Sequence, residues 1–139
     1  MARAASDKKA LDIVIIKMMK KVSSVCDYLV IASGTSTTHV RALSDNITRK
    51  LKEKGQSLWH IEGEREASWI LLDFGDVVCH LFLEDTRAFY NLEGLWGKAP
   101  QETFDERRPK KRALKRKKTI KKTKKIKRSK VKAKKRSKK

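Results

Sequence analysis

The sequence predicts an α/β fold: a small mixed β-sheet with flanking helices, carrying a basic C-terminal tail. Three observations lead there. Two continuous apolar runs near the N-terminus read as buried strands, residues 12–19 (DIVIIKMM) and 28–32 (YLVIA). A segment of helical period succeeds them, and a hairpin signal with a second helical segment closes the pattern. The resulting order β-β-α-β-β-β-α predicts a mixed sheet with helices packed against it.

Each element has its own local reason. Residues 12–19 are apolar and β-branched, which suits a first buried strand. Lys20, Lys21, Ser23 and Ser24 make the turn after it. Residues 28–32 are apolar without alternation, as in a central strand covered on both faces. Ser33-Gly34-Thr35-Ser36 ends that strand, and Ser36 or Thr35 can cap the next helix. Over residues 38–54, Val40, Leu43, Ile47 and Leu51 keep helical spacing, and Gly55 is a natural terminator. Residues 59–61 form a short third strand, which leads into a polar connection over residues 62–67.

Residues 69–96 (WILLDFGDVVCHLFLEDTRAFYNLEGLW) organise the rest. Their first half reads as two strands joined at Phe74-Gly75-Asp76 by a two-residue loop, either Phe74-Gly75 or Gly75-Asp76. In both registers Trp69 and His80 fall on one face of the sheet. In the second half, Phe89, Leu92 and Trp96 keep helical spacing. A helix over residues 86–96 is therefore expected to lay this stripe on the sheet.

Length allows one domain of modest core. The net charge of +20 is unevenly distributed. Residues 1–106 hold 14 Lys/Arg and all 16 Asp/Glu, a net of −2, whereas residues 107–139 hold the other 22 Lys/Arg and no acid. A near-neutral domain thus carries a polycationic tail, expected to be disordered in solution because its cations repel one another. Such a tail binds polyanions by counterion release, without base specificity, and it lacks the aromatics that stack on single-stranded bases. A pure solubility role is the plainer alternative. Cys26 and Cys79 sit far apart in apolar settings, which suits a reducing compartment. No apolar run approaches the roughly 18–20 residues of a membrane span, and the N-terminus has no secretory h-region. The chain is read as cytoplasmic, with no membrane partner.

Candidate chemistry is sparse. A glycine-containing turn at a helix start can bind phosphate. Nucleotidyl transfer also needs closely spaced carboxylates for metal ions, and no Asp-x-Asp comes after the turn. His39, His60 and His80 lie on different elements without ligand spacing, so no metal site is assigned. There is no Gly-x-Ser-x-Gly elbow. The residues point to binding, with no catalytic residue and no cofactor. Trp69 has two readings, strand core or interface anchor, and Tyr90 can extend the same patch. Glu62, Glu64, Glu66, Asp73, Asp76, Glu84 and Asp85 gather in sequence around these elements. An acidic rim around an aromatic centre suits a basic partner, although ordinary solvated loop charge reads the same way.

Four motifs resemble the ribosomal silencing factors, RsfS of the Iojap family: DYLVIASGTSTTHVRAL (residues 27–43), IEG (61–63), WILLDFGDVVCHLF (69–82) and RAFYNLEGLW (87–96). They stand in the family's order and spacing. The resemblance covers a domain over residues 7–97; composition and charge add a linker (98–109) and the disordered tail (110–139). It implies a nucleotidyltransferase-like fold without the catalytic carboxylates, and no enzymatic activity. It also implies docking on the large ribosomal subunit through its protein number fourteen, a block to small-subunit joining, and lowered translation. Organellar relatives assist large-subunit assembly, which is the alternative role beside general RNA binding. Trp69 matches the family's contact tryptophan and Tyr90 a nearby contact tyrosine. Asp73, Asp76, His80 and Glu62 fall on adjoining motif positions. A homodimer off the ribosome is compatible with this likeness. The chain departs from the family in its short segment before the first strand, where residues 4–11 alone can supply a helix, and in its basic tail. That tail is expected to touch rRNA through Lys110, Lys111, Arg112, Lys115, Arg116, Lys117, Lys118, Lys121 and Lys122.

Overall fold

The computed structural model describes residues 1–18 and 25–106. The turn expected at Lys20, Lys21, Ser23 and Ser24, and the tail with its nine named cations, lie outside the described residues. The chain runs α1 (Ala2–Ser6), β1 (Leu11–Lys17), β2 (Tyr28–Gly34), α2 (Thr37–Glu53), β3 (His60–Glu62), β4 (Trp69–Asp73), β5 (Val77–Leu83), α3 (Glu84–Tyr90), α4 (Leu92–Leu95) and β6 (Gln101–Thr103). Six strands form one sheet in the order β3-β4-β5-β2-β1-β6. It is mixed, as expected: β2 and β5 are parallel and the other neighbours antiparallel.

Burial along each strand reports what covers it. In β2 all but the first residue is buried, and in β5 the five middle residues are buried, so the two central strands are covered on both faces. In β4 burial alternates, with Ile70 and Leu72 inaccessible and Trp69, Leu71 and Asp73 only partly covered. One face of β4 is therefore core and the other is open.

Helix α2 closes the core face. Ser36 caps it by accepting the His39 backbone N–H (3.1 Å). Val40, Leu43 and Ile47, none of them exposed, join Ile70, Leu72, Cys79 and Leu81 in one cluster. Each such aliphatic residue contributes about 1.5–3 kcal/mol on burial. Gly34 permits the close approach of strand to helix, because a Cβ there would stand 2.9 Å from Val40 Cγ2. Beside α2 packs α1, held by Asn46 Nδ2 donating to the Ala4 carbonyl (2.7 Å) and by a Lys50–Asp7 ion pair.

The hairpin takes the second of its two registers. Asp73 pairs with Val78, and Phe74 N–H donates to the Val77 carbonyl (3.0 Å), leaving Gly75-Asp76 as the loop. Gly75 supplies φ +86°, the left-handed first position of a type II′ turn. The Asp73 carboxylate accepts the Gly75 N–H (2.8 Å) and fastens that turn.

Two expectations need correction. The segment 86–96 is not one helix: it breaks at Asn91, which adopts φ 44°, ψ 57° and caps α4 by accepting the Gly94 N–H (3.2 Å). The break re-aims the stripe. Leu92 and Trp96 pack on the cluster of Ile16, Met18, Leu29, Ile31, Val78 and Phe82, whereas Phe89 points to solvent at 82% exposure. The second correction concerns residues 98–109, read as a linker. Their first part returns as the edge strand β6, with Gln101 paired to Ile16 of β1.

Candidate functional site

The open face of β4 and β3 carries the candidate site. Trp69 lies directly opposite Phe82, and Leu71 lies between His80 on one side and Glu62 on the other. Opposite residues of antiparallel strands share a face, so Trp69, Leu71, Asp73, His80, Phe82, His60 and Glu62 all stand on this side. The joint placement of Trp69 and His80 read from the sequence is what the strands adopt.

Rings build up in layers around Trp69. Phe82, fully buried, forms the floor, with its centroid 4.9 Å from Trp69 and the planes 27° apart. Tyr90 leans on the flank of Trp69 at 4.7 Å and 46°, and is itself half-exposed. Phe89 meets Tyr90 edge-on at 5.1 Å. The result is a ladder of rings running from the core to solvent. Its geometry lies within the range where aromatic pairs stabilise one another by ~0.5–1.5 kcal/mol beyond area burial.

His80 closes the inner side. Its Nδ1 accepts the indole N–H of Trp69 at 3.1 Å, and only 8% of the residue is exposed. Burial pushes its pKa down from 6.5 to about 4. The folded state thus prefers neutral His80, so this stabilisation is complete above pH 6.5 and is lost as pH falls towards 4. The linked contribution is about 3 kcal/mol. Chemical-denaturation midpoints measured from pH 7 to 4 are expected to fall more steeply for the wild type than for His80→Asn, which cannot titrate there.

The remaining sequence candidates are spread along the face. Glu62 is exposed and contacts His60 Nε2 (2.8 Å). Asp73 sits four residues along β4 from Trp69, about 13 Å away, with its carboxylate engaged in the turn. Asp76 is exposed at the tip, and its backbone carbonyl accepts the N–H groups of Asp27 and Tyr28. Trp69, Tyr90 and His80 are therefore brought together, Glu62 borders them, and the two aspartates occupy the far end of the hairpin.

Arg87 has a role that spacing did not reveal. Its Nη1 donates to Ser33 Oγ on β2 (2.8 Å), and its Nε donates to Glu93 Oε1 (2.6 Å), with both ion-pair partners mostly buried. This clamp fixes α3, and with it Tyr90, against the sheet. Residues six apart do not face each other on a continuous helix. Only the break at Asn91 lets Arg87 and Glu93 meet, so helical periodicity carried no signal for the pair.

The Ser33-Gly34-Thr35-Ser36 turn is occupied by its own bonds. Thr35 N–H donates to His39 Nδ1 (3.0 Å), and His39 Nε2 donates to the Lys8 carbonyl (2.7 Å). Among the described residues, no group of three or more His, Cys, Asp or Glu is placed to hold a metal, and no helix is long and apolar enough to cross a membrane.

Fold and face together define a small mixed α/β protein that leaves one face of its strands β3 and β4 open around an aromatic ladder. The chain belongs to the ribosomal silencing factor (RsfS) family: the family model described as "Ribosomal silencing factor during starvation" matches residues 1–135. The Bacillus subtilis protein named "Ribosomal silencing factor RsfS" is 43% identical over 104 residues, covering 75% of this chain and 87% of that one. A crystal structure of a Chromobacterium violaceum protein is 37% identical with a TM-score of 0.66, over 68% of this chain and 78% of that chain. The mouse protein named "Mitochondrial assembly of ribosomal large subunit protein 1" is 38% identical over 92 residues, covering 64% of this chain but 40% of its own length.

Proposed function

We propose that this chain is a cytoplasmic translation repressor that docks on the large ribosomal subunit and prevents the small subunit from joining. Its family membership supports a ribosomal role, and the observation that carries the docking mode is Trp69. A large aromatic stands partly exposed on the open face of β4, backed by Phe82 and flanked by Tyr90. Buried aromatic anchors of this kind dominate binding energy at protein interfaces. The partner we assign is ribosomal protein number fourteen of the large subunit. Trp69 and Tyr90 supply the central contacts, Glu62 borders them, and Asp73 and Asp76 lend negative charge towards the hairpin tip. Inhibition is steric and requires no chemical step.

Residues 107–139 add rRNA phosphate contacts under this reading. Their 22 cations, among them Lys110, Lys111, Arg112, Lys115, Arg116, Lys117, Lys118, Lys121 and Lys122, make binding tighter and strongly salt-dependent. Co-sedimentation with purified large subunits tests both parts. Trp69→Ala is expected to reduce binding by roughly thirtyfold to several-hundredfold, in line with a hot-spot loss of ~2–4 kcal/mol. A chain ending at Glu106 is expected to bind more weakly but with a shallower salt dependence. Retained binding by Trp69→Ala, together with loss on truncation, would place the affinity in the tail and overturn the docking reading.

The name of the mouse relative favours a second reading, assembly of the large subunit. Sedimentation profiles of cells lacking the protein separate the two. Accumulated large-subunit precursors support assembly, whereas mature subunits that join too readily during starvation support silencing.

A further inference from the structure

We infer that His80 is a positioning residue. It takes up the indole N–H of Trp69, so that Trp69 meets its partner through hydrocarbon and π surface alone. This deepens, and rests on, the docking reading above.

The indole nitrogen of tryptophan can only donate, and when half-buried it needs an acceptor. Here His80 Nδ1 provides one at 3.1 Å from within the protein. An accepting Nδ1 requires the neutral ring with its proton on Nε2. His80 is poorly placed to touch a partner itself, being only 8% exposed. Its strand neighbours on this face are Leu71 and Ile31, and Phe82 lies nearly parallel to its ring (6.1 Å, 14°). The imidazole is thereby held by packing, and through one hydrogen bond it holds the indole.

The arrangement also narrows the partner's chemistry. A carbonyl or carboxylate laid over Trp69 finds no indole donor, because His80 already occupies it. An aliphatic stem ending in a cation fits instead, lying across the π face with Glu62 nearby on the same side of the sheet. The occupant is thus a lysine or arginine on a basic protein segment.

Two substitutions separate the hydrogen bond from mere packing. Asparagine at position 80 places Oδ1 where Nδ1 stands and can accept; leucine fills similar volume and cannot. In the full-length ¹⁵N-labelled protein, the Trp69 indole proton is expected to exchange slowly with water in wild type and His80→Asn. It is expected to exchange several-fold faster in His80→Leu. Affinity for purified large subunits is expected to fall about tenfold in His80→Leu and less than about threefold in His80→Asn.

Unchanged protection and affinity in His80→Leu would overturn the inference. So would an asparagine variant as weak as the leucine one, since the ring itself would then be what matters. Should the leucine variant fail to fold, the ring ¹⁵N shifts of wild-type His80 decide the matter: an unprotonated Nδ1 supports the bond, and a protonated one overturns it. Failure of the docking reading looks different, because Trp69→Ala would then bind as tightly as the wild type.

Discussion

Gly63→Ala is expected to destabilise the domain by about 2–5 kcal/mol and to weaken large-subunit binding at least tenfold. Gly63 adopts φ +82°, and a Cβ there would stand 1.9 Å from the carbonyl oxygen of Trp69. The left-handed conformation alone costs alanine ~1–2 kcal/mol. The clash cannot be relieved by a side chain, because the obstructing atom is backbone. Nor is the loop free to move away: Ala67 N–H bonds the Gly63 carbonyl (2.9 Å), and Arg41 donates to the carbonyls of Glu64 and Arg65 (3.2 and 2.6 Å). The displacement therefore falls on Trp69, the first residue of β4 and the centre of the proposed docking face. Thermal unfolding is expected to show a midpoint lowered by ~10 °C or more. An unchanged midpoint would show that the loop re-forms without strain, and the link from Gly63 to Trp69 would then be lost.

What the sequence disclosed depended on whether a local signal fixed the answer. The strands β2 and β5, the capped α2 and the hairpin were legible, because apolar runs, Ser36 and the Phe74-Gly75-Asp76 turn each admit few conformations. The shared face of Trp69 and His80 came from period-2 geometry in either register. Phe89 was misplaced for a definite reason. Its spacing to Leu92 and Trp96 assumed an unbroken helix, and a single left-handed Asn91 rotates α3 relative to α4. Strand β6 was missed because Gln101, Glu102 and Thr103 carry no apolar pattern; pairing with the exposed edge of β1 makes them a strand. The motif marked His80 as part of the site, but only the folded arrangement reveals its burial beneath Trp69 and its bond to the indole. Function was legible chiefly through the resemblance. Composition and spacing alone led no further than an aromatic patch with an acidic border and a basic tail.

Phe82→Ala should cost about 3–5 kcal/mol of stability, a substantial fraction of the ~5–15 kcal/mol that holds a domain of this size. The residue is wholly buried, faces Trp69 across the β4–β5 ladder and Ser33 across the β5–β2 ladder, and packs with Ile16, Leu29 and Ile31. Truncation opens a cavity that three strands must collapse into at once. Urea unfolding is expected to show a lower midpoint with an unchanged slope. Because this variant damages fold and face together, Phe82→Leu is the more telling companion. It nearly conserves volume, so stability should fall by less than ~1.5 kcal/mol, yet it removes the ring on which Trp69 stacks. If the aromatic floor orients Trp69 for docking, Phe82→Leu will weaken subunit binding several-fold while its urea midpoint stays near wild type. If binding instead tracks stability through both variants, Phe82 serves only the core, and the orientation of Trp69 rests on His80 and Tyr90.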